Sequence, residues 1–459
     1  MDFLKKYDCL IVGAGPAGLF SVYELITNNP KLRILVCEKG NLIQNRGKTE
    51  MMSGVGGAGT YSDGKLHFTP VLSHEKMFHL YSVEEYNPIL QRVDDIFLQF
   101  GVTTPISPQD MSQADKLVKE CADNGIKLLV RKVRHVGSDL LPKVILNFQE
   151  FLIKNGVEFL AKTEVSDILL EDHHCVGVMT IDNKKIFGEN ILLSPGRIGA
   201  KWLQDLCRKY DIEYTFDKVE VGVRVETLAT VMDKFSNVAY ESIYLITAPT
   251  TGDIVRNFCP CPRGFVAQEE YGDFVAVNGH SNSDHKSLNS NFAFTAEINL
   301  SEPYENTINY ALAIAKLVNI AGGGKPLIQS LTGFKKGQRS TWERLKNNGI
   351  IPSLTDVVPG DISMALPGRI TQDLKEAFDI LEKVMPGINS DNTLIYAPEV
   401  KLRSSKVKTN KYLETKIENL FVAGDGAGLS GSITGAAVNG LIVAKGMMGK
   451  SENPNRLFR

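Results

Sequence analysis

No stretch of the 459-residue sequence approaches the roughly 20 consecutive apolar residues needed to cross a bilayer, so no transmembrane helix is expected. Neither sign of charge is in excess. The 51 Lys plus Arg against 53 Asp plus Glu leave a formal charge of -2, and no overall attraction to nucleic acid or anionic lipid is built in, although local patches can form. Cysteine is sparse and scattered. Cys9, Cys37, Cys121, Cys175, Cys207, Cys259 and Cys261 are mostly single residues in apolar or helical stretches, which argues against a disulfide framework and for a reducing compartment. Tandem repeats and low-complexity tracts are missing. The stretch from Met1 to Asp8 carries two lysines and runs straight into a strand, so no cleavable signal peptide is expected and the reading is cytoplasmic.

What is present has the balance of a packed globular chain, with 43% hydrophobic and 23% charged residues. Its length points to two intimately connected domains. The opening reads strand, glycine turn, helix, strand over 7–37, a βαβ unit. Residues 47–64 are rich in glycine and serine and read as a working loop. Between 73 and 124 the pattern is helical, with Tyr86, Leu90, Val93, Phe97 and Phe100 three and four apart. A further amphipathic helix is expected within 137–155, capped by Ser138 or Asp139, followed by strands to 193. Val219, Val221, Val223 and Val225 alternate with Glu220, Gly222, Arg224 and Glu226, the period of a strand with one buried face. Helices are expected at 304–319 and 371–385.

The strongest chemical signal is Gly13-Ala14-Gly15-Pro16-Ala17-Gly18, a GxGxxG turn directly after a strand, with Glu38 ending the next strand twenty residues beyond Gly18. Gly13 permits the tight turn, Gly15 lets the backbone approach a pyrophosphate, and Gly18 lets helix and strand close. The helix N-terminus offers free N–H groups and a favourable dipole. Glu38 suits paired ribose hydroxyls and would repel a 2'-phosphate, which disfavours NADP at this turn. The turn alone leaves NAD and FAD open.

At the other end, the apolar run to Val422 leads into Ala423-Gly424-Asp425-Gly426-Ala427-Gly428, then Gly431-Ser432-Ile433-Thr434-Gly435 and an alanine-rich helix. This resembles the C-terminal motif of the glutathione-reductase-like FAD/NAD(P)-binding superfamily. The resemblance implies that Asp425 bonds the ribityl or pyrophosphate region and that the helix after Gly431 and Ile433 points its N-terminus at the flavin pyrimidine. A partial positive charge there would stabilise the anionic reduced ring. Leu192-Leu193-Ser194-Pro195-Gly196-Arg197 is similar to the central strand-to-glycine motif, with Ser194-Pro195 where Ala-Thr is usual. The stretch from Glu38 through Lys39 to Arg46 resembles an extended pattern in which an arginine touches the pyrophosphate; Arg46 as a solvated charge is the rival reading.

The run Gly56-Gly57-Ala58-Gly59-Thr60-Tyr61-Ser62-Asp63-Gly64-Lys65-Leu66, with Cys261-Pro262-Arg263-Gly264, resembles bacterial and archaeal proteins described as FAD-dependent dehydrogenases. By position Gly57, Ala58 and Gly59 should pass beside the isoalloxazine. The cofactor set implied in this way is Gly13, Gly15, Pro16, Ala17, Gly18, Glu38, Lys39, Arg46, Gly57, Ala58, Gly59, Val165, Gly196, Gly424, Asp425, Gly431 and Ile433. A second nucleotide fingerprint and a CxxC near the turns are missing, which disfavours the disulfide reductases. Catalytic residues stay unknown. Cys259-Pro260-Cys261-Pro262 fits a thiol pair, half a metal site or a stiff turn, the last preferred, and no metal is expected. His280 and His285 flank a polar loop where an imidazole could shuttle a proton, and Lys65 or Arg256 could hold an anionic substrate.

The expectation is an α/β fold: a Rossmann-type FAD-binding domain from 1–70, 135–205 and 391–459, a helical insertion at 71–134, and a mixed-sheet substrate domain at 206–390. The function implied is hydride or electron transfer through flavin N5 between a small organic substrate, with unsaturated carbon compounds among the acceptors the resemblance suggests, and a redox partner, either NAD(P)H or an electron-carrier protein. The alternatives are an NAD(P)H-driven monooxygenase-like enzyme and a module in which FAD is structural or a redox sensor. A nucleic-acid partner is not expected.

Overall fold

The computed structural model describes residues 6–47, 50, 52–62, 64–71, 74–216, 218–271, 273–281, 285–300, 306–401 and 405–452. Parts of the sequence expectations lie outside the described residues: 1–5, Lys48, Thr49, Met51 and Asp63 of the glycine loop, Ser73 and Tyr304 as helix starts, and 282–284 of the polar loop.

The chain divides into two compact units. One comprises the described residues of 1–104, 134–217 and 404–459, the other those of 105–133 and 218–403. In the first, Lys6–Val12, Ile34–Cys37, Glu158–Leu160, Lys185–Leu193 and Leu420–Val422 run parallel. The order is 158–160, 34–37, 6–12, 185–193; the second half of 185–193 then pairs with 420–422, and its first half with the antiparallel strand His174–Thr180, on which Val165–Glu171 pairs in turn. Parallel strands are covered on both faces, so they read as unbroken apolar runs; all four residues of Ile34–Cys37 and all three of Leu420–Val422 are buried.

Two helices of this unit pack on each other. Pro16–Asn28 starts on a proline whose fixed φ suits a first turn. Against it lies Ile433–Glu452, where a Cβ on Gly440 would sit 2.2 Å from the Ala17 carbonyl oxygen, so close packing there demands the missing side chain. The expected long helical stretch is two helices. Val83–Gln99, with a capping box between Ser82 and Glu85, belongs to the first unit, whereas Met111–Asp123 and the strand Ile126–Val130 belong to the second, where 126–130 pairs with Ser242–Thr247. Leu141–Lys154 forms as expected, but neither Ser138 nor Asp139 caps it: Leu140 occupies the cap and no side chain bonds the first turn.

The second unit is built on an eight-stranded sheet in the order 358–359, 327–330, 394–401, 219–228, 289–298, 254–261, 242–247, 126–130. Val219, Val221, Val223 and Val225 face an apolar core with Phe294 and with Val318 and Phe378 of the helices Thr307–Ala321 and Gly368–Glu382. One expectation is corrected here. The strand Val219–Leu228 is buried on both faces, with Glu220, Arg224 and Glu226 each no more than 1% exposed. Period two tells which residues share a face; it does not tell whether water reaches the polar one. That face is covered by polar groups of its own. Arg256 Nη2 donates to Glu220 Oε1 at 2.6 Å, the Tyr396 hydroxyl to Glu226 Oε2 at 2.5 Å, and Arg224 Nε to Asn291 Oδ1 at 2.8 Å.

Glu399 joins this layer, its Oε2 lying 3.9 Å from Arg224 Nη1. Burial pushes its carboxyl up to about 8 from an ordinary 4.5, the guanidinium pulling only partly back. The folded state therefore holds this proton at pH values where the unfolded chain has released it, and unfolding free energy falls as pH rises from 4.5 to about 8. Glu399→Gln should flatten that decline, by about 2–4 kcal/mol between the two ends of the window. Denaturant melts at pH 5 and pH 8 (roughly the window's limits) check this; equal slopes for both proteins would contradict it.

Candidate FAD site

Three parallel strands of the first unit end side by side, Val12 opposite Leu193 and Leu193 opposite Val422. The carboxyl ends of such strands are where open α/β sheets take ligands. Each strand passes into a turn with a glycine at positive φ: Gly13 at 97°, Gly196 at 62° and Gly424 at 79°. The turns interlock. A Cβ on Gly13 would lie 2.2 Å from the Ser194 carbonyl oxygen, and one on Gly426 would lie 2.4 Å from that of Gly196. The Ser194 hydroxyl adds contacts of 3.0 Å to the carbonyls of both Val12 and Gly13.

The helix Pro16–Asn28 has Gly15 at its cap, no side-chain cap and no acid in its first turn. First-turn N–H groups have no acceptor within their own helix, so Gly15, Ala17 and Gly18 present donors where the dipole favours an anion. Gly18 is required for another reason, since a Cβ there would lie 2.1 Å from the Gly13 carbonyl oxygen. The second glycine run is laid directly on the first. Gly56 N–H donates to the Ala14 carbonyl at 2.8 Å, and a Cβ on Gly57 would come within 3.2 Å of Gly15 Cα. Ala58 and Gly59 then open the 3-10 turn Ala58–Tyr61, and a Cβ on Gly59 would meet Ile433 Cγ1 at 2.8 Å.

Glu38, 6% exposed, fastens these pieces together. Its Oε2 accepts from Ala14 N–H at 2.8 Å, and its Oε1 from Gly40 N–H at 2.9 Å and Gly54 N–H at 2.8 Å. A carboxylate has about four lone-pair sites, so room for a ribose hydroxyl is left beside a structural role that the motif did not announce. Arg46 is a buried clamp on the glycine loop, donating to the carbonyls of Val55 at 2.8 Å, Gly57 at 3.1 Å and Glu50 at 2.8 Å, with its guanidinium 4.7 Å from the Tyr61 ring centroid. Lys39 is half exposed and paired with Glu164 at 2.7 Å, and Val165 is buried at the start of its strand. Asp425 is half-buried and accepts from the Ser430 hydroxyl; Gly431 is exposed just before the last helix.

The start of that last helix carries a network that sequence reading missed. The Thr434 hydroxyl donates to the His67 carbonyl at 2.7 Å and lies 3.5 Å from Nε2 of the buried His74, whose Nδ1 is 2.8 Å from the Tyr86 hydroxyl. These residues are 360 and 12 positions apart in sequence, so no local pattern joins them. Lys65 opens the strand Lys65–His67 in the same unit and is 5% exposed.

The other catalytic candidates fall in the second unit. Arg256 is committed to Glu220 at 2.6 Å. Cys261 is buried at the end of Ile254–Cys261, 3.3 Å from Arg224 Nη2, and the register shifts between Phe258 and Cys261, with Cys259 at a φ of 43°. The Cys-Pro-Cys stretch thus ends a strand in a bulge, and neither cysteine is in a disulfide. His280 ends Val275–His280 opposite Phe265, on whose ring His285 stacks with centroids 5.4 Å apart. Of the four candidates, Lys65 belongs to the first unit, and Arg256, Cys261 and His280 to the second.

Residues 218–402, most of the second unit, match the family model described as FAD-dependent protein, C-terminal domain-like. An uncharacterized protein of Clostridium beijerinckii is 25% identical over 483 residues, spanning 97% of this chain and 81% of that one. Among solved structures, pyridoxine 4-oxidase from Mesorbium loti is similar at 12% identity and a TM-score of 0.47, over 98% of this chain and 100% of that one. Glycine oxidase from Geobacillus kaustophilus is similar at 12% identity and a TM-score of 0.42, over 97% and 95%. No helix among the described residues is long and apolar enough to cross a membrane. By the family match the cofactor is FAD, and the chain is a flavoprotein of α/β fold with a Rossmann-type unit and a mixed-sheet unit.

Proposed function

We propose that this chain is a FAD-dependent oxidoreductase that passes hydride or electrons between a small organic substrate and a redox partner. The observation that carries the reading is the meeting of three glycine turns, at Gly13, Gly196 and Gly424, at the carboxyl ends of adjacent parallel strands, with an uncapped helix N-terminus at Gly15. Bound FAD supplies two-electron chemistry at N5. In this reading the N–H groups of Gly15, Ala17 and Gly18 bind the pyrophosphate, Glu38 takes the adenine ribose on its remaining lone pair, and Asp425 with Gly424 holds the ribityl side. Gly57, Ala58, Gly59 and Ile433 flank the ring. Thr434, tied to the His67 carbonyl, fixes the first turn of a helix whose dipole favours negative charge at its N-terminus.

The kinship implied by the sequence is with the dehydrogenase-like proteins of the glutathione-reductase-like superfamily. Either NAD(P)H or an electron-carrier protein is the redox partner, and unsaturated carbon compounds are the substrate class favoured by fold-level analogy. Anaerobic titration with NADH and NADPH, watching the flavin band, separates the partners. Bleaching by one of them makes the chain a nucleotide-driven reductase. If neither bleaches it while dithionite does, the electrons come from substrate or a carrier protein. A flavin that no donor reduces would contradict the oxidoreductase reading and favour a structural role.

A further inference from the structure

One corner of the second unit exposes what folded surfaces usually hide. Leu288 and Ile351 are 81% and 83% exposed, and Trp342 is 40% exposed. They belong to segments that meet. The Asn289 side-chain amide donates to the Ile351 carbonyl at 2.8 Å, Val266 N–H donates to Ser353 Oγ at 2.8 Å, and His285 stacks on Phe265. Beneath them, Leu345 and Ile350 share a small apolar core with Val266, Val277 and Val357. Leu345 is the inward residue of the short helix Trp342–Lys346. Trp342, Ile351 and Leu288 therefore project from the outer side of one local core.

The same corner is basic in a chain that is not. Residues 335–346 carry Lys335, Lys336, Arg339, Arg344 and Lys346 against the single acid Glu343. Lys335 is taken by Asp379, but Lys336, Arg339, Arg344 and Lys346 make no ion pair among the described residues. Lys286 adds an exposed cation two residues before Leu288. Protruding aliphatic side chains, an aromatic at their margin and a fringe of cations make the pattern of a protein face that lies on lipid headgroups.

We propose that this corner docks the protein reversibly on an anionic membrane surface. Leu288 and Ile351 enter the acyl boundary, Trp342 lies at headgroup level, and Lys286, Lys336, Arg339, Arg344 and Lys346 face the anionic headgroups. A second copy of the chain fits less well, because a two-fold contact through this face would set its cations against their own images. A nucleic acid would use the cations and leave Leu288 and Ile351 in water.

The test is co-sedimentation of the FAD-loaded full chain with vesicles of phosphatidylcholine alone or mixed with phosphatidylglycerol, at low and high salt. Sedimentation is expected with the mixed vesicles, falling with salt. The double variant Leu288→Asp/Ile351→Asp should lower the partition at least about tenfold, with melting temperature and flavin spectrum unchanged because both side chains are exposed. Ile320→Asp, at a comparably exposed position on the helix Thr307–Ala321, should leave it unchanged. The proposal is overturned if mixed vesicles bind no more than neutral ones, or if the double variant sediments like the parent. It is also overturned if the parent is a dimer that the double variant makes monomeric without any vesicle binding.

Discussion

Gly13→Val should leave a protein that no longer retains FAD. The residue sits at a φ of 97°, where a β-branched side chain is strained, and its Cβ would fall 2.2 Å from the Ser194 carbonyl oxygen. That neighbour is backbone, fixed by the parallel pairing of 6–12 with 185–193, so it cannot swing aside as a flexible side chain would. The positive φ alone costs about 1–2 kcal/mol, and separating two strand ends at the ligand site adds to it. The expected outcome is a loss of at least about 3 kcal/mol of stability and at least about a hundredfold in FAD affinity. Gly156→Ala is the matched control. Its φ of 87° is also positive, but a Cβ there meets nothing within 4 Å, and it lies outside the glycine turns. It should cost only the backbone term and keep the flavin. Denaturant melts and FAD titration of the two apoproteins check the contrast, and equal losses would contradict the role given to the strand ends.

The second large effect is expected at Glu38. A carboxylate that accepts N–H groups from Ala14, Gly40 and Gly54 joins the first glycine turn, the end of the second strand and the glycine loop. Glu38→Ala leaves three N–H groups without their acceptor in a site where water has little access, and about 3–5 kcal/mol of stability should go with them. Glu38→Gln keeps the shape but points an amide NH2 at one of those donors, so a smaller loss, about 1–2 kcal/mol, is expected. A residue that served only a ribose hydroxyl would behave differently: both variants would weaken FAD binding while the melting of the apoprotein stayed put. Thermal melts with and without FAD separate the two cases.

These two residues also show how far the sequence could be read. Gly13, Gly15, Gly18 and Glu38 stand at fixed offsets after an apolar strand, and that local spacing is enough to place the tight glycine turn between the first strand and the first helix. The turn at Gly424 was legible in the same way, as an apolar run ending in Gly-Asp. The bonds that make the turns one site were not legible. Ser194 reaching Val12 and Gly13, Gly426 against Gly196, and Thr434 bonded to His67 join residues hundreds of positions apart, and no periodicity records such contacts.

The second unit was harder to read for a different reason. The alternation of valines with Glu220, Arg224 and Glu226 suggests a solvated polar face, yet those three side chains are buried among Asn291, Tyr396, Arg256 and Glu399. Burial of a charged face depends on partners supplied by three other strands, and each partner looks unremarkable in its own segment. The helical expectation over 73–124 failed in a related way: the pattern marks helix correctly but cannot show that 83–99 and 111–123 go to different units.

The measurement that tests the central claim most directly is the absorption spectrum of the purified protein, before and after incubation with FAD and desalting, with the released cofactor identified by chromatography. A flavin spectrum that survives desalting, releases FAD rather than FMN at close to one per chain, and disappears in Gly13→Val is the predicted result. A parent protein that shows no flavin band after incubation with FAD, and whose melting temperature FAD does not raise, would contradict the account.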